Sequence, residues 1–292
     1  MTLADDVTVI IPAFNSQETI AKAITSCLDL SGSSLIVVDD GSTDRTADIS
    51  RAAGALVIQQ ENAGAWAARN RGLSAARTRF IVFLDADDEL LPVGVLKSLT
   101  VLREDSTASV AAGRVLGVMP NGSERLLRRT YDHVDVAALL TKGHGPWPPA
   151  ASVIRRDALR EADALPIESL GLRYAEDYEM FIRLSQTGRF LCHDQPTTRY
   201  RLFAGKSSKA PLQEMRDKET IRAHYSAELR IAVHLMTPTE LNSAAFTRAA
   251  RSSAAHRAWA ATAFWIFRSF VADPFSLLRR AFHRLRLRLI KN

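Results

Sequence analysis

Short apolar runs and stretches of helical period take turns along the first hundred residues. Val7-Thr-Val-Ile-Ile11 is closed by Pro12, Leu35-Ile-Val-Val38 by Asp39-Asp40-Gly41, and Phe80-Ile-Val-Phe-Leu84 by Asp85; Ala55–Gln59 is a weaker run of the same kind. Consecutive apolar positions over this length predict strands buried on both faces. Between them Ser16–Leu30, Thr43–Ala53 and Ala65–Ala76 have helical length and period. Ser42-Thr43-Asp44 offers cap chemistry before the second of these helices. Strand, helix, strand, repeated, predicts an α/β fold: a mostly parallel sheet with helices on both faces.

From Ala108 the pattern changes. Ala108–Val118 and Glu124–Thr130 flank Pro120-Asn121-Gly122-Ser123, the signature of a hairpin turn. Gly143-His-Gly-Pro-Trp-Pro-Pro149 is too rich in Gly and Pro for a regular element. Leu172–Ser185 predicts a helix, with Glu179 and Arg183 paired at i, i+4. Beyond Pro211 the chain is helical in pattern and rich in Ala and Arg.

In open parallel sheets, ligands bind beyond the carboxyl ends of the strands. That rule selects Pro12-Ala13-Phe14-Asn15, Asp39-Asp40-Gly41-Ser42 and Asp85-Ala86-Asp87-Asp88. Acids gathered on one rim repel one another unless a cation or a donor-rich ligand meets them. An Asp-x-Asp pair in an extended segment points both carboxylates the same way, and magnesium or manganese accepts a few such oxygens while taking the rest from water and phosphates. A solvated acidic turn is the bland alternative. Placement at the end of a buried strand, beside Asp39 and Asp40, favours a metal–phosphate site. Asp40 in turn suits the ring N–H or ribose hydroxyls of a nucleotide.

Composition narrows the class. The 292 residues are 47% hydrophobic and 24% charged, enough apolar material for a core that needs no staple. Two cysteines, Cys27 and Cys192, build no disulfide framework, and the expected compartment is the reducing cytoplasm. The net charge of +6 lies in 274–292, where Arg279, Arg280, Arg284, Arg286, Arg288 and Lys291 stand without an acid. A body that is otherwise neutral speaks against a nucleic-acid partner.

Four segments carry a resemblance: Val9-Ile-Ile-Pro-Ala-Phe-Asn15, Val38-Asp-Asp-Gly-Ser-Thr-Asp44, Glu61-Asn-Ala-Gly64 with Ala68-Arg-Asn-Arg-Gly72, and Phe83-Leu-Asp-Ala-Asp-Asp88. In that order they resemble the motifs of family 2 glycosyltransferases with the GT-A fold, and Glu176-Asp177-Tyr-Glu and Thr198-Arg-Tyr-Arg201 extend the likeness over about 210 residues. The resemblance implies an inverting transferase that uses a nucleotide-diphospho-sugar, usually a UDP-sugar, with Mn2+ or Mg2+. It implies that Pro12, Ala13 and Asn15 line the nucleotide pocket, that Asp40 bonds the base, and that Arg69 approaches the nucleotide or its phosphates. Asp85 would serve ribose and metal, Asp87 would be the main metal ligand with Asp88 competing, and Asp177 would be the general base. Glu176 and Arg201 are further candidates. The acceptor would be a saccharide or a lipid-linked glycan, on which Trp147 could stack, although an aromatic anchoring its own loop is the commoner case. The Gln-x-x-Arg-Trp motif of processive synthases is absent, and Phe203 stands where many relatives carry His. The implied organisation is a catalytic domain over 1–210, with a nucleotide half (1–105) and an acceptor half (106–210), and a helical extension over 211–292.

Two rival functions remain: a sugar-phosphate nucleotidylyltransferase, which needs a Gly-rich basic loop where Pro12–Asn15 stands, and a nucleotide-sugar binder without turnover. The tail also has two readings. Leu278, Phe282, Leu285 and Leu289 make an apolar stripe and Arg280, Arg284 and Arg288 a basic one, which suits either an anionic membrane surface or packing on the protein or a homodimer partner. The aromatic run Phe264-Trp-Ile-Phe267 is too short to span a bilayer. A membrane-bound tail would put the protein at the inner face of the plasma membrane.

Overall fold

A computed structural model describes residues 3–30, 32–172, 174–203 and 210–279. The apolar runs are strands β1 (Val7–Ala13), β2 (Ser34–Asp39), β3 (Leu56–Gln59) and β4 (Phe80–Phe83). They lie in the order β3-β2-β1-β4, all parallel, with Ile10 level with Ile36 on one side and Phe83 on the other. Every residue of β1 and β4 is buried. Helices α1 (Ile20–Leu28), α2 (Thr46–Ala52) and α3 (Ala65–Ala75) make the crossovers. α1 buries Ile20, Ala23, Ile24 and Cys27 as one helical stripe; the two isoleucines alone contribute about 4 kcal/mol of burial. α3 approaches β1 so closely that a Cβ on Gly72 would stand 2.4 Å from the Ile10 side chain.

α2 begins three residues later than Thr43. Its N-cap is Arg45, which makes no side-chain cap bond; one residue earlier Asp44 Oδ1 accepts from the Thr46 amide at 2.9 Å, while Ser42 Oγ accepts from the Asn15 amide at 2.9 Å and is drawn toward β1.

The sheet continues past β4 with strands of mixed direction: β5 (Glu89–Leu90), β6 (Ala108–Val118), β7 (Glu124–Leu126), β8 (Ser152–Arg155) and β9 (Arg189–Arg201). Their order is β4-β8-β6-β9-β5, with β7 beside β6. β6 and β9 run parallel; β8 is antiparallel to β4 and β6, and β5 to β9. The hairpin at Pro120–Ser123 forms, but β7 stops at three exposed residues, because Arg128 and Arg129 follow with no apolar face to bury. Helix α4 (Pro92–Glu104) lies on β9 with Gly94 at the contact, where a Cβ would come within 1.9 Å of the Pro196 carbonyl oxygen. Helices α5 (Val136–Lys142), α6 (Arg156–Asp163) and α7 (Glu176–Leu184) complete this part. Glu179 accepts from the amides of Leu170 and Gly171, and Arg183 donates to the carbonyl of Ile167. Both thus tie α7 to the loop before it.

The chain divides into two compact units: one up to Val118 with Glu124–Arg201, the other Met119–Ser123 with the chain from Leu202 on. The second unit holds α8 (Pro211–Glu228), α9 (Pro238–Ala255) and α10 (Trp259–Ala272). α9 opens on a capping box, Thr237 with Glu240. Among the described residues no helix is long and apolar enough to cross a membrane. Arg280, Phe282, Arg284, Leu285, Arg288 and Leu289 of the expected tail stripes lie outside the described residues.

Candidate active site

Neighbouring strand ends build two linked clusters. At the first, β1 and β2 end side by side, and the Asp40 amide donates to the Ala13 carbonyl at 2.8 Å. Pro12 and Ala13 are buried within β1. Asn15 turns the chain out of the strand with φ 49°, and its Oδ1 accepts from the Thr43 amide at 2.9 Å. Asp39 and Asp40 are almost closed from solvent. Asp39 accepts from the Ser42 amide and from Gln59. Asp40 Oδ1 accepts from Gln60 Nε2 and the Ala63 amide, both at 2.8 Å, and its Oδ2 from the Gly64 amide at 2.9 Å. Gly64, at φ 95°, makes the turn that aims its N–H at the carboxylate.

At the second cluster, β4 ends one strand over. Leu84 makes the last ladder bond, to the Ile10 carbonyl. Asp85–Asp88 then forms a turn, closed by the Asp88 amide on the Asp85 carbonyl at 3.0 Å. The expectation of an extended Asp-x-Asp segment is therefore corrected: the strand has run out of pairing partners, and a turn gathers the three acids instead of alternation. Burial, the Asp85 charge and the Asp87 charge push the Asp88 carboxyl well above the usual range. Burial and Asp85 push Asp87 up as well. One Asp88 oxygen accepts from the Arg201 amide at 2.7 Å, which ties the turn to the end of β9. The other is buried and has no hydrogen-bond partner among the described residues.

Arg69, buried on α3, joins this cluster to α7. Its Nη2 donates to Asp85 Oδ1 at 2.6 Å. Burial alone would lower its pKa, but the charges of Asp85, Asp177 and Glu176 outweigh that and raise it. Asp177 sits in the first turn of α7, its Oδ1 accepting from the Tyr178 amide at 2.8 Å. Burial lifts the neighbouring Glu176 carboxyl to about 7, against the pull of Arg69. Arg69, Asp85, Asp87, Asp88, Glu176, Asp177 and Arg201 therefore share one electrostatic neighbourhood. Tyr200, which sequence reasoning passed over as a site residue, belongs to it too: burial and the charges of Asp88, Asp85, Asp177 and Asp87 all raise its pKa. The signal available was its position in Thr198-Arg-Tyr-Arg201. Trp147 packs its ring 6.0 Å from Phe181 of α7 and 6.3 Å from Phe190 of β9.

Among the described residues, no three His, Cys, Asp or Glu side chains are placed to hold a metal ion on their own. The chemistry at Asp85–Asp88 nonetheless suits a hard divalent cation. It offers crowded carboxylates and one unpartnered buried oxygen, and such ions draw much of their shell from phosphates and water.

A family model described as glycosyl transferase family 2 matches residues 8–162. The chain belongs to glycosyl transferase family 2. The match takes in both strand-end clusters and stops short of Glu176 and Asp177. A putative teichuronic acid biosynthesis glycosyltransferase of Bacillus subtilis (strain 168), TuaG, is 37% identical over 110 residues, 35% of this chain and 44% of that protein. Matched segments of the first curated relatives span only 28% to 44% of those proteins' length. Among solved structures, S. aureus TarS 1-349 in complex with UDP-GlcNAc superposes with a TM-score of 0.58 at 18% identity, over 92% of this chain and 91% of that one. The mannosyltransferase PcManGT of Pyrobaculum calidifontis, with GDP-Man and Mn2+, gives 0.57 at 16% identity, over 91% and 86%. These neighbours share the GT-A fold with this family member.

Proposed function

We propose that the protein is a metal-dependent, inverting glycosyltransferase that moves a sugar from a nucleotide-diphospho-sugar to a hydroxyl of a saccharide or lipid-linked glycan. The observation that carries this reading is the meeting, around Arg69, of the strand-end acid Asp85 with the α7 acids Glu176 and Asp177. Charge management for a leaving pyrophosphate and a base for an incoming hydroxyl then share one site.

In this reading Asp40 faces the nucleotide base. A carboxylate has about four acceptor positions; three are filled by Gln60, Ala63 and Gly64, and the fourth accepts a ring N–H. Asp87 and Asp88 would hold the divalent cation together with phosphate oxygens and water, with Asp85 beside them, and the ion when bound would neutralise charge on the diphosphate. Arg69 orients Asp85 and offsets its charge. Asp177 takes the proton of the acceptor hydroxyl as its oxygen attacks the anomeric carbon. The bond from that carbon to the β-phosphate oxygen breaks, the electron pair leaves with the nucleoside diphosphate, and configuration inverts. UDP-sugars come first among donors because of the UDP-GlcNAc complex of TarS, and GDP-mannose second because of PcManGT.

Nucleotide release from a panel of UDP- and GDP-sugars, with and without Mn2+, tests the reaction class. Asp177→Asn is expected to bind donor normally by calorimetry while transfer drops by about 10²–10⁴-fold. Full transfer by that variant, together with its loss in Glu176→Gln, would hand the base role to Glu176, whose pKa near 7 suits it.

A further inference from the structure

Helix α10 is built inside out. Its contact with α9 combines a polar seam with one aromatic stack: Ser269 Oγ donates to the Ser243 carbonyl at 2.8 Å, Thr247 Oγ1 lies 2.9 Å from Ser269 Oγ, Ser269 is fully closed from solvent, and Trp265 stacks on Phe246 with ring centroids 5.6 Å apart. Apart from Trp265, its aromatic residues face outward. Trp259, Phe264, Ile266, Phe267, Phe270 and Val271 are each at least 49% exposed. At roughly 100° per residue they sweep about 160° of the helix surface without a single charge. Arg268 stands at the border of this arc, over the rings of Phe246 and Phe264. Phe275, 83% exposed, continues the apolar surface beyond the helix. A continuous exposed apolar face of this kind marks an interaction surface.

We propose that this face of α10 docks the protein on an anionic lipid surface, with the aromatic rings at the headgroup boundary and the flanking Arg268 on the lipid phosphates. Charge selects this occupant. The arc carries no acid, Arg268 flanks it, and the following 274–292 segment has six basic residues and no acid. A second copy would bring another such segment to the same face, and like charges oppose that pairing. Lipid phosphates complement it, and aromatic rings with basic neighbours are the composition that lies in a bilayer interface. The inference concerns the helical unit alone and does not rest on the sugar-transfer reading.

Sedimentation of the full chain with phosphatidylcholine vesicles, with and without 30% phosphatidylglycerol (about a third anionic lipid, where such segments respond), tests it. The expected result is binding to the anionic vesicles at least tenfold stronger than to the neutral ones, weakened several-fold by half-molar salt. Phe267→Ser with Phe270→Ser is expected to cut that binding tenfold or more. Both positions are at least half exposed, so the melting temperature and donor hydrolysis should stay as in the parent and show that the variant is folded. Equal partitioning on both vesicle types, or a double variant that binds like the parent, would overturn the proposal. So would a dimer that this variant dissolves in a protein that ignores vesicles, because the face would then belong to a second copy.

Discussion

In the parallel core, Val9, Ile11, Val82 and Leu99 are all closed from solvent, and the polar groups gather where the strands run out. In α10 the arrangement is reversed, with Ser269 inside and Phe267 and Phe270 outside. The two regions use their apolar residues differently. In the core, apolar burial holds the strands in register and so fixes where Asp40, Asp85 and Arg69 stand. In α10 a few hydrogen bonds and the Trp265–Phe246 stack hold the helix, and the rest of the apolar area is left for something other than folding. The same residue type thus has different energetic weight in each region, and substitutions can measure that difference.

The largest contrast is expected from truncation. Leu99→Ala removes a side chain of α4 with no exposure and should cost about 3 kcal/mol of unfolding free energy. Phe267→Ala removes a larger side chain that is 63% exposed, and should change stability by no more than about 0.5 kcal/mol. Urea unfolding of both variants decides it. A loss of more than 2 kcal/mol at Phe267 would mean that the outer face of α10 is a core after all.

The acid-lined rim sharpens the comparison through pH. Glu176 ionises near 7 in the folded protein, against 4.5 for the ordinary side chain. Between those values the native state keeps a proton that the unfolded chain has released, so stability falls as pH rises through this window. Glu176→Gln cannot ionise. It should be more stable than the parent above pH 7, on the order of 2 kcal/mol after allowance for solvent screening, and the gap should close toward pH 4.5. Parallel melting curves from pH 4.5 to 8 would count against the burial argument. The helical unit carries no such buried acid on α10, so its Phe267 variant should follow the parent at every pH.

Much of the core was legible because its signal is local. Val7–Ile11 and Phe80–Leu84 are runs whose length and apolarity suit only a buried strand, and the rule that ligands sit past strand ends then led to Asp40 and Asp85. β9 was not legible. Arg189–Arg201 is polar, contains Pro196, and is a strand only because β6 pairs with it through several register shifts. The enclosure of Asp40 was hidden for a related reason: two of its three donors are backbone amides of Ala63 and Gly64, and an amide has no letter in the sequence. Glu176 owes its shift first to burial, with Asp177 and Asp85 adding to it against the pull of Arg69, and both Arg69 and Asp85 come from distant parts of the chain. For α10 the helix could be read but its orientation could not, since period alone does not say which face a neighbour covers.

The smallest expected effect probes what holds α10 in its reversed orientation. Ser243 Oγ lies 3.0 Å from both the carbonyl and the hydroxyl of Ser269, and Ser269 Oγ donates back to Ser243. Removing one hydroxyl leaves its partner buried and less well satisfied, so Ser243→Ala and Ser269→Ala should each cost about 1 kcal/mol. Removing both deletes donor and acceptor together and should cost little more than either alone. A double-mutant cycle by urea unfolding measures this coupling. Additive losses would mean that each serine is satisfied by other groups, such as Thr247 or the Asp273 carbonyl. The polar seam would then be a broader network, and the outward aromatic face would be held in place by more than one pair.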